Sequence, residues 1–189
     1  MPVRSDAALA FLASRRSVPP KLLSGPGPEG AALEQLLTLA IRVPDHGKLA
    51  PWRLIVLSRT RLDQMVAPIT AAMTAQGAGE AVIAKAISAL ASPLIVAVIL
   101  SPVASDKIPL REQVMSAASV CLTLLQAALA AGWGAAWLTG PLAEDKLARD
   151  LLALGEGESV AGLIHIGRFD GEALPDRPRP ELADKVSFL

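Results

Sequence analysis

No charged residue occurs between Gln113 and Ala143, and this stretch limits what the chain can fold into more than any other feature of the sequence. A bilayer takes about 20 apolar residues to cross, so the stretch is long enough for a membrane span. Gly132 and Gly134 interrupt it, however. We therefore predict a helix over Glu112–Ala131 and a strand over Ala135–Thr139. Because much of that helix is alanine and serine, we expect it in a protein core or a subunit interface, with no membrane partner.

Predicted helices and strands alternate along the rest of the chain. The helices are Asp6–Ser14, Ala31–Arg42, one capped by Thr60 and ending before Gln76 with Pro68 inside it, Glu80–Leu90 and Glu144–Leu152; the strands are Trp52–Ser58, Leu94–Leu100 and Val160–Ile166. The strand Leu94–Leu100 is apolar at every position, as expected of a central strand covered on both faces. Alternation of this kind predicts helices on both faces of a sheet. No repeat or linker interrupts it, so we expect residues 1–189 to form a single domain.

The segment Ala40–Trp52 is irregular and polar, and it joins a patterned helix to a strand. Pro44 ends the helix, because the residue before a proline is pushed out of the α region. Arg42 is then at a helix C-terminus, and His46 lies on a constrained connection that can face a ligand. Three roles fit His46 at this point: metal ligand, general acid or base, and hydrogen-bond donor to a ligand. We predict no metal site, because the other histidine, His165, lies in an apolar strand and no carboxylate cluster surrounds either.

Two further segments are candidates for ligand contacts. Arg15, Arg16 and Ser17 directly follow the first predicted helix, and two guanidinium groups with a hydroxyl can clamp a phosphate. The alternative is a solvated helix end with cations suitably placed for the dipole. The segment Trp137–Thr139 closes a predicted strand, and ligands often sit where strands end. The alternative there is a tryptophan packed in the core.

Composition and motifs exclude several other classes of function. Eighteen basic residues balance eighteen acidic ones, which leaves no net field to attract nucleic acid. The single cysteine, Cys121, rules out a disulfide within the chain, and its apolar surroundings favour a buried, inert thiol. Gly25–Gly30 matches a dinucleotide-binding pattern only in letters: two prolines replace backbone amides and no strand precedes it, so we predict a surface loop. Near the N-terminus Asp6 follows Arg4 without an apolar run, so we expect a cytoplasmic location.

Four groups of residues in this chain recur in a known order and at known intervals. They are Arg15-Arg16-Ser17; Arg42-Val43-Pro44-Asp45-His46 followed by Pro51-Trp52; Glu112-Gln113 with Met115-Ser116; and Gly132 to Gly134 leading into Trp137. Together they resemble the flavin-dependent nitroreductase family, especially its short branch of single-domain members. The likeness spans nearly the whole chain, and Arg-x-Pro-Asp-His with a following Pro-Trp is its most specific part.

The resemblance implies both a fold and a set of cofactor contacts. The fold is α+β, a three-layer α/β/α arrangement with a mixed central sheet flanked by helices and a C-terminal tail that reaches the dimer partner. FMN would lie at the interface of a homodimer. Arg15, Arg16 and Ser17 would hold its phosphate and ribityl chain, Arg42 and His46 would reach the flavin of the partner chain, and Trp137, Leu138 and Thr139 would lie beside the ring system. Relatives commonly carry a basic or polar residue at the position of Leu138.

The activity implied by the resemblance is that of an FMN-dependent oxidoreductase. NADH or NADPH would deliver a hydride, leave, and be replaced by a small-molecule electron acceptor such as a nitroaromatic or a quinone. Because the flavin carries the chemistry, we predict no catalytic side chain and no metal. A flavin-binding protein without turnover is the alternative, and chemistry on the flavin itself or on a halogenated aromatic is a second enzymatic one.

Overall fold

A computed structural model describes residues 3–143 and 145–189 of the chain. Its centre is a four-stranded sheet of β1 (Trp52–Ser58), β2 (Leu94–Leu100), β3 (Gly134–Leu138) and β4 (Ser159–Gly167), in the order β1-β2-β4-β3. Around the sheet lie α1 (Asp6–Ser14), α2 (Gly30–Ala40), α3 (Arg59–Ala75), α4 (Glu80–Ala89), α5 (Leu110–Ala130) and α6 (Asp145–Leu152). The predicted α+β class is confirmed.

The direction of the strands differs from the expectation of a mixed sheet. Each pairing among the described strands is antiparallel. The reason lies in the connections, because two helices, α3 and α4, separate β1 from β2 and return the chain to the end where β1 stopped. An odd number of helices there would have produced a parallel pair.

Predicted element ends lie within two residues of the observed ones, and the deviations have local causes. Ser58, not Thr60, caps α3, since its Oγ accepts a hydrogen bond from the Arg61 N–H at 3.3 Å. Helix α2 stops at Ala40, and the Arg42 N–H then bonds to the Leu39 carbonyl at 3.1 Å, a tighter turn than an α-helix makes. The predicted start of the sixth helix, Glu144, lies outside the described residues.

Two buried clusters, one on each face of the sheet, confirm the prediction of helices on both sides. Strand β2 supplies both clusters: Leu94, Val96 and Val98 point to α2 and α5, whereas Ile95, Ala97 and Ile99 point to α3 and α6. This alternation follows from the two-residue period of a strand. The central position of β2 explains why it is apolar at every residue.

Helix α5 is the expected core helix. It is long and apolar enough to cross a membrane, with a mean hydropathy of 1.5 over 18 residues. In the fold, however, its Val120, Leu124 and Ala128 are fully buried in the first cluster, against α2 and the sheet. Cys121 is buried beside them, and this burial raises the pKa of its thiol to about 12, as expected of an inert cysteine.

Candidate functional site

Arg15, Arg16 and Ser17, which we call the clamp, lie where α1 meets the edge strand β3. Arg15 follows the last helical residue, and its N–H still bonds to the Phe11 carbonyl. Two residues beyond the serine, the chain is pinned to the sheet, because the Val18 N–H donates to the Ala135 carbonyl at 2.8 Å. All three clamp side chains are half-buried. The clamp is therefore a fixed part of the sheet edge and not a solvated helix end.

The guanidinium of Arg15 is only partly satisfied. Its Nη2 lies 3.4 Å from Ser17 Oγ, a long hydrogen bond. Its Nε is buried, and among the described residues it has no hydrogen-bond partner. A buried donor on a permanent cation is costly unless an acceptor meets it. The clamp thus has the donors, the charge and an unfilled hydrogen-bond position that suit a phosphate oxygen.

The clamp opens on a cleft of about 310 Å³ that brings five of the eight predicted site residues together. Its walls are Arg15, Arg16, Ser17, Pro19, Pro20, Ala136, Trp137, Leu138, Arg177 and Arg179. The half-buried Trp137 packs on the first core cluster and lies over β4, where a Cβ at Gly162 would collide with its indole nitrogen. Thr139 is exposed beyond the end of β3, outside these walls.

Arg177 and Arg179 in the cleft were not predicted from the sequence. They reach it because the tail folds back onto the clamp, where Arg16 Nε donates to the Pro175 carbonyl at 3.2 Å. Arg179 pairs with Asp176 at 3.0 Å, and the pKa of that carboxyl is lowered, first by the Arg177 N–H and then by the charges of Arg179 and Arg16. Four guanidinium groups therefore line one cleft with a single paired carboxylate among the described residues nearby.

Arg42 and His46 lie elsewhere, at the opposite edge of the sheet. Their segment leads into β1, whereas the cleft lies beside β3, and these are the two outer strands. Both side chains are exposed, and in the part of the chain that the structure describes neither lines the cleft. One copy of the chain thus separates the two groups of predicted cofactor contacts.

The connection that carries His46 is tightly constrained. Asp45 Oδ2 accepts a hydrogen bond from the Ala50 N–H at 2.8 Å and so closes the turn. Gly47, Lys48 and Ala50 have positive φ values of 72°, 54° and 46°. Only glycine fits at position 47, because a Cβ there would also collide with the Ile108 side chain. Backbone in this region is costly for other residues and is found most often at functional sites.

Helix α5 holds both ends of this connection through two side chains one turn apart. Ser116 Oγ donates to the Pro44 carbonyl at 2.8 Å and accepts from the Trp52 indole N–H at 3.1 Å. Glu112 Oε2 lies 2.7 Å from Nδ1 of His46. Residues four apart share one helix face, so the spacing of Glu112 and Ser116 fits the connection they hold.

His165 occupies the sheet interior, as predicted. It is 1% exposed, and its Nδ1 lies 2.8 Å from Ser92 Oγ. Its Nε2 is buried and has no partner among the described residues. Burial lowers the pKa of His165 to about 4. Within residues 3–143 and 145–189, no group of three or more His, Cys, Asp or Glu side chains could hold a metal ion.

The lowered pKa of His165 predicts a loss of stability in mild acid. The unfolded chain takes up a proton near pH 6.5, whereas the folded protein resists it down to about pH 4. The unfolded state therefore binds more protons in this interval, and the free energy of unfolding should fall by up to about 3 kcal/mol as pH drops through it. Urea unfolding at about pH 7 and about pH 5 measures this. A His165→Gln variant whose stability falls as steeply as that of the wild type would contradict the assignment.

A larger cavity of about 680 Å³ lies at the end of the sheet where β1 stops and β2 begins. The predicted surface loop Gly25–Gly30 lines it, preceded only by an isolated bridge between Ser24 and Arg168. Its one guanidinium, from Arg59, is already bound by the Ser92 carbonyl at 2.7 Å and by Asp63. The smaller cleft, with its unsatisfied arginine, is therefore the candidate site.

Comparisons with known proteins agree with this architecture. The model of the nitroreductase family matches residues 12–168. The Escherichia coli (strain K12) protein YdjA, provisionally named an NAD(P)H nitroreductase, is 31% identical over 161 residues, which cover 85% of this chain and 87% of that protein. A nitroreductase-like protein from Bacillus cereus has a TM-score of 0.76 at 22% identity, over 100% of this chain and 98% of that one. The FMN- and NADPH-dependent nitroreductase NfnB of a Sphingopyxis strain has a TM-score of 0.76 at 19% identity, over 96% and 98%.

Proposed function

The chain belongs to the nitroreductase family, and we propose on this basis that it is a single-domain FMN-dependent oxidoreductase that uses NADH or NADPH to reduce a small-molecule acceptor. Nitroaromatics and quinones are the acceptor classes we propose. FMN, when bound, supplies the hydride chemistry, accepting a hydride from the nicotinamide and passing electrons to the acceptor in a ping-pong cycle. The protein's own residues then have to bind and orient the cofactor.

The observation that carries this proposal is the buried, unpartnered Nε of Arg15 among the described residues of an arginine-lined cleft. A phosphate monoester near neutral pH carries up to two negative charges and accepts forked hydrogen bonds. We assign the phosphate of FMN to the clamp, with Arg177 and Arg179 adding charge from the tail. Trp137 and Leu138 would supply an apolar wall for the ring, and Thr139 a contact at the mouth of the cleft.

We further propose that the active form is a homodimer. Arg42 and His46 lie at the sheet edge opposite the clamp, so they reach a flavin held in the cleft only if that cleft belongs to a second copy. Exposed apolar side chains support such an interface, among them Leu9 and Leu12 on α1 and Met115 on α5, which is 64% exposed. Surfaces of this kind are typical of subunit contacts.

The last residues of the tail fit the same arrangement. Up to Arg179 the tail lies against its own clamp, as described above. Beyond it, Leu182, Val186 and Phe188 are exposed, Phe188 at 94%. Apolar side chains left in solvent at a chain end favour docking on another surface, and we propose the partner subunit as that surface.

Replacing Arg42 by alanine is expected to lower FMN affinity at least tenfold, because one guanidinium that would meet the partner's flavin is lost. The ratio of flavin to protein after purification at moderate salt measures the effect. Arg61→Ala is the matched control, since Arg61 lies on α3 and bonds to the Leu151 carbonyl. If Arg42→Ala is purified with full flavin occupancy, the proposed role of Arg42 is wrong.

Steady-state oxidation of NADH and of NADPH, with a nitroaromatic or a quinone as acceptor, tests the reaction itself. Parallel lines in double-reciprocal plots at several acceptor concentrations are expected of a ping-pong cycle. A yellow protein that oxidises neither nucleotide would support the alternative, a flavin-binding protein without turnover.

A further inference from the structure

His46 is the one proposed cofactor contact whose ring has a charged partner within its own chain. Its Nδ1 lies 2.7 Å from Oε2 of Glu112. We infer that Glu112 is a positioning residue, which fixes the proton of His46 on Nδ1 and leaves Nε2 as the atom that meets the ligand. The inference rests on the proposed function, in which His46 contacts FMN in the partner's cleft.

The chemistry of the pair sets the proton position. An ionised carboxylate only accepts hydrogen bonds, so a contact of this length requires an N–H at Nδ1. In the neutral ring the lone pair is then on Nε2, and in the protonated ring Nε2 carries an N–H. Without the carboxylate, the neutral ring is free to place its proton on either nitrogen.

His46 depends on this contact, because nothing else in its immediate surroundings fixes the ring. The side chain is 65% exposed and stands on a single short turn, His46–Lys48. Asp45 and Ser116 hold the backbone on either side of it, but neither touches the imidazole in the described contacts. The direction of the ring therefore follows from Glu112.

Glu112 is the rigid member of the pair. It lies in the first turn of α5 and is 35% exposed. The next residue, Gln113, is buried, and its side chain locks the start of the helix: Oε1 accepts from the Val103 N–H and Nε2 donates to the Val103 carbonyl, each at 2.8 Å. A carboxylate on such a base can hold a mobile ring in one orientation.

Two simpler roles would also place a glutamate here. An exposed ion pair contributes little to stability, and an acidic residue in the first turn of a helix favours the helix dipole. Glu80 is a matched control for both, since it lies in the first turn of α4 and is exposed. Neither simpler role affects the tautomer of a histidine or the affinity for FMN.

Nitrogen-15 NMR of histidine-labelled protein tests the proton position without any cofactor. The chain has two histidines, and the buried His165 serves as the internal reference. We expect neutral His46 in the wild type to carry its proton on Nδ1, and Glu112→Gln to give a mixture of tautomers. Glu80→Gln should leave the signals of His46 unchanged. A wild-type ring protonated on Nε2 would overturn the inference.

FMN titrations followed by quenching of flavin fluorescence test the consequence. Glu112→Gln should weaken FMN binding about five- to tenfold, the loss expected for one oriented hydrogen bond. In a His46→Ala background the same change should have no further effect, because Glu112 acts through the ring. An equal loss in both backgrounds would overturn the inference in favour of a role in the helix.

The two readouts separate the failure of this inference from the failure of the proposed function. If the wild type does not bind FMN, the proposed function is wrong, while the NMR result still decides whether Glu112 sets the tautomer. If FMN binds but His46→Ala binds it equally well, the inference is overturned and the proposed function stands. An unchanged thermal midpoint in each variant ensures that the affinities compare folded proteins.

Discussion

Replacing Arg15 by alanine is expected to weaken FMN binding about a hundredfold, the largest effect of any single change at the site. The substitution removes a permanent charge and the buried Nε that lacks a partner among the described residues. Hydrogen bonds to charged groups contribute roughly 1.5–3 kcal/mol each, and every 1.4 kcal/mol corresponds to about a factor of ten. Arg15→Lys keeps the charge but loses the fork, so we expect an intermediate loss of about tenfold.

Fluorescence titration of the FMN-free protein measures these affinities, and Arg4→Ala is the control. Arg4 lies at the other end of α1, is exposed, and pairs with Asp6 at 2.7 Å. A second readout separates binding from folding. Because the buried Nε of Arg15 is unsatisfied among the described residues, its removal should not lower the thermal midpoint of the FMN-free protein. An Arg15→Ala protein that binds FMN as tightly as the wild type would show that the clamp is not the phosphate site.

Replacing Glu158 by alanine is expected to lower the free energy of unfolding by about 3 kcal/mol at neutral pH. The Glu158 carboxylate receives two hydrogen bonds from Arg53 and one from Ser101, all at 2.7 Å, and one from the Gly155 N–H at 2.8 Å. These contacts join β1, the end of β2 and the turn before β4. Removing the carboxylate leaves the half-buried Arg53 without its partner, which is the costly part of the change.

The same carboxylate predicts an effect of acid that is distinct from that of His165. The hydrogen bonds from Arg53 are the main reason that the pKa of Glu158 is lowered to about 2 from its ordinary 4.5. A lowered carboxyl pKa stabilises the fold fully above pH 4.5, and this contribution is lost as pH falls from there towards 2. Denaturant unfolding across this interval should show a steeper loss for the wild type than for Glu158→Ala.

Glu156→Ala is the control, because Glu156 is exposed two residues earlier in the same turn. It should change the free energy of unfolding by less than about 0.5 kcal/mol. Equal stability of Glu158→Ala and Glu156→Ala at neutral pH would contradict the role assigned to the Arg53–Glu158 pair.

Sequence patterns predicted the local elements well because their signals are local. Strands β1 and β2 were predicted to their observed ends, since both are runs of branched and other apolar residues between polar ones. The antiparallel sheet was not predicted. Alternation of helices and strands does not show that two helices intervene between β1 and β2, and that number decides the strand direction.

The candidate site was predicted in part, for the same physical reason. The clamp and the end of β3 were identified separately, and the fold brings them together in one cleft. Arg177 and Arg179 were missed because Arg16 and Pro175, which hold the tail there, are 159 residues apart. The contact of Glu112 with His46 spans 66 residues, and no spacing rule in the sequence pairs them. Contacts of this range depend on the folded sheet and helices and leave no periodic signal.

The visible spectrum of the protein purified without added flavin, repeated under anaerobic conditions after NADH and then NADPH, tests the central claim most directly. We predict a yellow protein whose flavin absorbance bleaches with at least one of the two nucleotides. A colourless protein that fails to bind added FMN would contradict the account, and would mean that this chain keeps the nitroreductase fold without its cofactor.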